Sequence, residues 1–358
     1  MTSLRSLIKA EIKAHGPINV ARYMALALAH PEYGYYQKQD PFGVDGDFTT
    51  APEVSQMFGE MIGFWCAHMW QTIGQPVPVN VVEFGPGRGT LQVDVLRAAN
   101  SVPNFVDSLK LWLIETSPVL RKTQQKNLGP GPKAPCWVDS VSDVAKGPLL
   151  IIGNEFFDAL PVHQYVRGAE GWRERLIDVS KDEDRLAFVE ADSLVTEGLI
   201  PDTLPGNKIG DVYEDQRISQ TIMQDIAGRI VDQGGVGIFI DYGHDRHGVG
   251  DTLQALKNHQ FVDVLECPGD QDLTTHVDFE QLEKAAISAG AKTFGPIPQG
   301  LFLQQLGMHQ RAEALKTDAT VEQTLEINQA FNRLVNPEQM GSLFRVMIIA
   351  HPSVDLGF

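Results

Sequence analysis

The sequence predicts an α/β fold: a doubly wound, largely parallel sheet with a helical N-terminal region before it and a β-hairpin region inserted into it. Three observations predict it. From residue 79 onward short apolar runs alternate with helical stretches, the pattern of a parallel sheet covered by helices on both faces. In "VNVVEFGPGRGTL" (79–91) the first apolar run leads into Gly85, Gly87 and Gly89 and then a helix, as in Rossmann-like folds. Of the 358 residues, 43% are apolar and 21% charged, an ordinary soluble composition that allows a sizeable core.

The elements follow in order. Leu4, Leu7, Ile8 and Ile12 share one face of a first amphipathic helix. That spacing, together with the lack of a signal-type apolar block, favours an element of the fold over the alternative of a weak transit peptide. Helices are expected over Ile18 to His30 and through "MFGEMIGFWCAHMWQTIG", with a loop rich in Gly, Pro and Asp between them. Residues 1–78 thus form a helical N-terminal region with a lid loop, and 79–358 the main domain. Within it come a strand at 79–84, a helix at about 89–99, the strand "LKLWLIE", a helix over "SPVLRKTQQKN", the short strand "CWVDS" and the buried-type run "GPLLIIGNE". An insertion at about 162–212 breaks the rhythm: "HQYVRGAEGWRERLIDV" and "RLAFVEA" read as antiparallel hairpin strands. A long helix through "QRISQTIMQDIAGRIVDQ" then feeds the strand "GVGIFIDYG". The strand "SLFRVMIIAH" is expected to close the sheet edge.

The chain carries 29 basic and 46 acidic residues, a net charge of −17. That field repels a phosphate backbone, which argues against nucleic acid as a partner and favours cationic ligands. No apolar run has membrane-spanning length. Cys66, Cys136 and Cys267 form no CxxC pair, which suits a reducing compartment. His244, His247, His276 and Asp278 lack metal-ligand spacing, so no metal is assigned.

Glycines between a strand and a helix permit a tight turn and the close approach of a ligand. Their neighbours indicate which ligand. Glu83 lies two residues before Gly85 at the carboxyl end of its strand, the edge where open α/β sheets bind ligands. A carboxylate there opposes a pyrophosphate and suits an ammonium. Glu115 ends the second strand, where an acid can accept ribose hydroxyls, and Asp139 ends the third, where one can accept an adenine amino group. No Lys-Ser or Lys-Thr follows the glycines, so a P-loop is excluded. The three acids together fit S-adenosylmethionine, with NAD as the alternative ligand.

The chemistry is expected where the fourth strand ends. Asn154 and Glu155 follow five apolar residues, and either can accept an N–H and orient a nitrogen lone pair toward a methyl group. Asp158 shares their face if 156–160 forms a helical turn. The structural alternative makes Asn154 a helix cap and Glu155 a first-turn acid. If the acceptor is a guanidinium, a carboxylate can bind its charge and concentrate electron density on one nitrogen, which makes Glu155 the leading catalytic candidate. The stretch "DGDFTTAPEVS" (45–55), with Asp45, Asp47, Thr49, Thr50 and Glu53, reads either as a lid or as a helix start with a Thr50–Glu53 capping box.

The loop "VVEFGPGRGTL" resembles the first motif of class I S-adenosylmethionine-dependent methyltransferases. The stretches "GDFTTAPEVSQMFGE", "NEFFDALPVHQ", "FIDYG", "DLTTHVDFEQL" and "QGLFLQQLG" resemble the MidA family, which is related to the mitochondrial complex I assembly methyltransferase, and the match extends over essentially the whole chain. The resemblance implies a protein arginine methyltransferase that symmetrically dimethylates an arginine on a core subunit of respiratory complex I, in the mitochondrial matrix in eukaryotic relatives; without a convincing mitochondrial leader, a bacterial, cytoplasmic member is expected here. Its cofactor loop falls on Gly85, Gly87 and Gly89, and its acidic motif on Asn154, Glu155 and Asp158. The second closely spaced glutamate of better-known arginine methyltransferases is missing here, so a paired carboxylate must come from elsewhere, such as Asp158 or Asp47. The alternatives are a methyltransferase of a small amine or nucleobase nitrogen, and an assembly chaperone that binds the cofactor without transfer. The sequence leaves the oligomeric state open.

Overall fold

The computed structural model describes residues 3–38, 49–130, 133–180, 184–196, 198–205 and 208–356. They divide into two units: Thr49–Phe156, Ile222–Gly243 and Leu282–Phe358 in one, and Met1–Phe48, Phe157–Thr221 and His244–Gln281 in the other.

The first of these is built on seven strands: β1 (Val79–Phe84), β2 (Leu109–Ile114), β3 (Cys136–Val138), β4 (Leu149–Asn154), β5 (Gly235–His244), β6 (Lys292–Pro298) and β7 (Phe344–Ala350). Their order across the sheet is β6-β7-β5-β4-β1-β2-β3. From β5 to β3 every neighbouring pair is parallel. Every residue of β1 and β4 is buried, as central parallel strands covered on both faces require. The order reverses between β4 and β1, the switch point at which open α/β sheets hold ligands.

One expectation is corrected here. The C-terminal strand does not close the sheet edge: β7 runs antiparallel between β5 and β6, and β6 forms the edge. Composition explains the placement. The run "VMIIA" of β7 is buried throughout, whereas β6 carries Gly295 and Pro296 at a break in its register, residues that an edge tolerates.

Three helices frame the ligand edge: α1 (Ala51–Val54), α2 (Gln56–Thr72) and α3 (Thr90–Ala99), and a fourth, α4 (Pro118–Leu128), follows β2. Helix α2 starts at Ser55, whose hydroxyl accepts the Met57 N–H. It packs very closely on α3: a Cβ at Gly59 would lie 2.5 Å from Asp94 Cβ, and one at Gly63 would lie 2.8 Å from Val95 O. Glu60 reinforces that contact by accepting from Arg97 (3.3 Å) and from Arg311 (2.7 and 3.0 Å). The start of α3, which the glycine loop feeds, is therefore set by core packing.

In the other unit helices Leu4–His15 and Val20–Ala29 bury Leu4, Ile8, Ile12, Tyr23 and Met24 in a second core. Its antiparallel sheet joins Ile18–Asn19, Trp172–Val179, His163–Arg167 and Val212–Asp215, with Leu186–Leu194 also paired to Trp172–Val179. Of these, His163–Arg167, Trp172–Val179 and Leu186–Leu194 are the hairpin strands expected within 162–212. Along Leu186–Leu194 half-buried and exposed residues alternate, as in a strand with one open face. A further three-stranded sheet, Gln254–Lys257, Gln260–Val262 and Asp272–Thr274, carried no clear strand signal in the sequence. Among the described residues no helix is long and apolar enough to cross a membrane.

Candidate active site

The glycine loop begins where β1 ends. Gly85, Gly87 and Gly89 have φ of 57°, 53° and 81°, all in the left-handed region that side chains resist. The loop is held at both ends: Gly85 N–H donates to Ile114 O on β2 (3.1 Å), and Gly89 N–H donates to Pro86 O (2.7 Å). A Cβ on Gly85 would stand 3.3 Å from Phe156 Cδ2, so the ring of Phe156 covers this turn.

Glu83 is fully enclosed, and its Oε2 has no hydrogen-bond partner among the described residues. Burial pushes its carboxyl up to about 8, against a smaller opposing effect of Gln92 and a further upward push from Glu115. Such an orphaned acceptor is costly unless a ligand completes it. Glu115 is buried at the end of β2. Its Oε1 accepts the Ser117 N–H (2.7 Å) and its Oε2 accepts from Gln124 Nε2 (3.1 Å). Burial raises its pKa, and those hydrogen bonds counter the rise only in part. Asp139 follows β3, 76% of its side chain is exposed, and it pairs with Arg121 at 2.6 Å. Arg121 also donates to Glu115 O, which ties the ends of β2 and β3 together.

Gln124, which sequence reasoning missed, joins these parts. From α4 its Nε2 also donates to Gly87 O (2.7 Å), and its Oε1 accepts from Trp137 Nε1 on β3 (2.7 Å). One buried amide therefore connects the glycine loop, Glu115 and the third strand. The available signal was a polar residue four positions after Leu120, on the one buried stripe of an otherwise polar helix.

At the end of β4, Asn154 is buried and Glu155 half-buried. Asn154 Nδ2 donates to Glu155 Oε1 (3.1 Å), while Asn154 Oδ1 has no hydrogen-bond partner among the described residues. Glu155 Oε1 also accepts the Ala51 N–H at the start of α1 (3.2 Å). The backbone of Glu155 is left-handed, with φ 50°. No helix follows it, only a turn closed by Leu160 N–H to Phe157 O (3.2 Å), so neither the helix-cap alternative nor the helical turn that would set Asp158 on the same face is formed. Asp158 belongs to the other unit, where it is buried and its carbonyl accepts the Thr275 N–H.

The expected capping box at Thr50 is also absent: Thr50 makes no side-chain cap. Glu53 instead accepts the Thr90 hydroxyl (2.6 Å) and faces Arg88 Nη1 at 3.8 Å, which links α1 to the glycine loop. Tertiary partners on α3 outcompete the local bond. Asp45 and Asp47 lie outside the described residues, as does most of the lid loop. In the other unit His247 is buried, and its Nδ1 lies 2.5 Å from Asp278 Oδ2. Burial works to raise the Asp278 pKa, but its bonds to His247 and Gln281 outweigh that and hold it down. Among the described residues no group of His, Cys, Asp and Glu is placed to hold a metal ion.

The chain is similar to known proteins over most of its length. A family described as S-adenosyl-L-methionine-dependent methyltransferase matches residues 61–297. The Danio rerio protein arginine methyltransferase NDUFAF7, mitochondrial, is 35% identical over 367 residues, covering 96% of this chain and 86% of that protein. The Xenopus laevis protein of the same name is 36% identical over 363 residues, covering 94% and 81%. A crystal structure from Burkholderia thailandensis bound to S-adenosyl-homocysteine is 26% identical, with a TM-score of 0.85 over 98% of this chain and 92% of that one. A native crystal structure from the same organism gives 27% and 0.84. The residues present fit such a cofactor: the loop offers three left-handed glycines and no phosphate-binding lysine, and the orphaned Glu83 carboxylate is suited to a cation. The chain belongs to the family of S-adenosyl-L-methionine-dependent methyltransferases and uses S-adenosylmethionine as its cofactor.

Proposed function

We propose that the chain is a protein arginine methyltransferase. Its acceptor is an arginine on a subunit of respiratory complex I, and the product is symmetric dimethylarginine. The observation that carries the reading is the end of β4, where a half-buried carboxylate, Glu155, stands beside an amide oxygen, Asn154 Oδ1, that has no hydrogen-bond partner among the described residues. The names of the relatives support arginine as the acceptor, and the motif resemblance supports the complex I target. The net charge of −17 favours a basic protein segment as substrate.

Glu83, the glycine loop, Glu115 and Asp139 are the residues we assign to the cofactor. Glu83 would take the ammonium, Glu115 the ribose hydroxyls and Asp139 the adenine amino group. When bound, the cofactor supplies an electrophilic methyl carbon on a sulfonium. Glu155 binds the guanidinium through charge-assisted hydrogen bonds and draws positive charge away from the attacking nitrogen. Asn154 Oδ1 accepts another of its N–H groups and so restricts its rotation. Glu155 then takes the proton that the methylated nitrogen sheds. Alignment of the acceptor lowers the barrier further, because a nitrogen held at near-attack distance has already lost its freedom to turn away.

A small amine or a nucleobase amino group is the second reading, since Asn154 Oδ1 could accept from either. Incubation of the chain with methyl-tritiated cofactor and cell lysate separates them. Label in protein, recovered as dimethylarginine on hydrolysis and absent with Glu155→Gln, is the expected result. Label confined to small molecules would overturn the arginine reading.

A further inference from the structure

We propose that Asp241, at the carboxyl end of β5, is a positioning residue that holds Glu155 in its working conformation; this rests on Glu155 being the catalytic carboxylate. Asp241 ends the apolar run "GVGIFID" as Glu83 ends "VNVVE", yet its situation is the opposite. Its side chain is 1% exposed, and each of its oxygens receives a backbone N–H: Oδ1 from Tyr242 (3.0 Å) and Oδ2 from Phe156 (3.1 Å).

The Phe156 bond is the informative one. Glu155 is a non-glycine residue in left-handed backbone, a conformation that persists only where surrounding bonds over-determine it. Two such bonds come from β5. Glu155 N–H donates to Ile240 O (2.8 Å), and the next amide, that of Phe156, donates to the Asp241 carboxylate. The peptide following Glu155 is thus fixed on both sides of its strained torsion, and the carboxylate is aimed as a consequence. The clamp also reaches the cofactor loop, because the ring of Phe156 packs on Phe84 (5.1 Å between centroids) and over Gly85. Buried as it is, and with both oxygens bonded to backbone, Asp241 acts through Glu155 and not on the acceptor itself.

Asp241→Asn keeps the shape and replaces one acceptor oxygen by a donor. Loss of one charge-assisted hydrogen bond predicts a fall in kcat of about tenfold or more, with affinity for S-adenosyl-homocysteine kept within about twofold because no cofactor contact is removed. The effect should not add to Glu155→Gln: the double variant should turn over at the rate of Glu155→Gln alone. Wild-type kcat in Asp241→Asn, or additive losses in the double variant, would overturn the proposal. Hydrogen exchange tests the clamp without relying on any variant's folding. The Phe156 amide of the wild-type chain should be among the slowly exchanging amides, and rapid exchange there would overturn the proposal too. Should Glu155→Gln keep full turnover while the Phe156 amide is slow and is released by Asp241→Asn, the catalytic reading of Glu155 fails and the clamp stands.

Discussion

Two turns leave the carboxyl edge of one sheet through left-handed backbone, and they do so by different means. After β1 the conformation is taken by Gly85, Gly87 and Gly89, for which it is free of steric cost. After β4 it is taken by Glu155, for which it costs about 1 kcal/mol or more. At its three glycines the first turn carries no side chains, which leaves its backbone open to close approach. The second keeps a side chain in an unfavourable conformation, as our assignment of Glu155 to the acceptor would require. On that proposal the first turn provides space and the second provides aim.

The comparison can be broken most directly at Glu155. Glu155→Gln should lower kcat by about 10³-fold while S-adenosyl-homocysteine affinity is kept, since removing a charge that stabilises the transition state affects turnover and not cofactor binding. Calorimetry with steady-state kinetics checks both, and unchanged turnover would remove Glu155 from the chemistry. On the other turn, Gly87→Val forces a β-branched residue to φ 53° and should weaken cofactor binding by about 100-fold or more, with kcat at saturation less affected. Normal binding by that variant would count against the loop as the cofactor site.

A pH titration sharpens the picture of the glycine side. Glu83 in the ligand-free chain is raised from 4.5 to about 8, so the folded chain holds a proton there that the unfolded chain has released. Stability of the ligand-free protein should therefore fall as pH rises through that window and level off above about 8. Binding of an ammonium favours the ionised carboxylate, so cofactor affinity should climb by up to about tenfold per pH unit as pH approaches that value from below. Glu83→Gln should flatten both curves, and an identical slope in that variant would assign the titration elsewhere.

Smaller effects follow. Gln124→Ala removes the amide that joins Gly87, Glu115 and Trp137, and should weaken cofactor binding by about tenfold while leaving kcat nearly intact. Equal binding would show that α4 does not hold the loop. Finally, Glu155→Gly and Glu155→Ala should both be inactive, yet the glycine variant should be the more stable by about 1 kcal/mol in a denaturant titration. Equal stability would mean that Glu155 bears no conformational strain.

How much of this could be read in advance differs between the two turns for a physical reason. Glycine spends its identity on conformation, so a left-handed loop made of glycines is written into the chain, and with Glu83, Glu115 and Asp139 it pointed to S-adenosylmethionine, with NAD as the alternative. A strained glutamate leaves no such trace. Nothing local to "GNEFFDAL" distinguishes a left-handed Glu155 from the first residue of a helix, and the helical turn expected there did not form. Thr50 and Glu53 failed as a capping box for the same kind of reason, because Thr90 on another element offered the carboxylate a better donor.

The alternation of buried strands and helices, the glycine turn, the acids that end the strands and the inserted hairpins were determined by the sequence itself, since each depends on periodicity or on one residue's conformational freedom. Only the tertiary structure decided that β7 lies inside the sheet, that Gln124 ties the loop to two strands, and that Asp241 clamps the peptide after Glu155. Those outcomes depend on donors and acceptors brought together from distant parts of the chain, and hydrogen bonds between distant segments have no period to read.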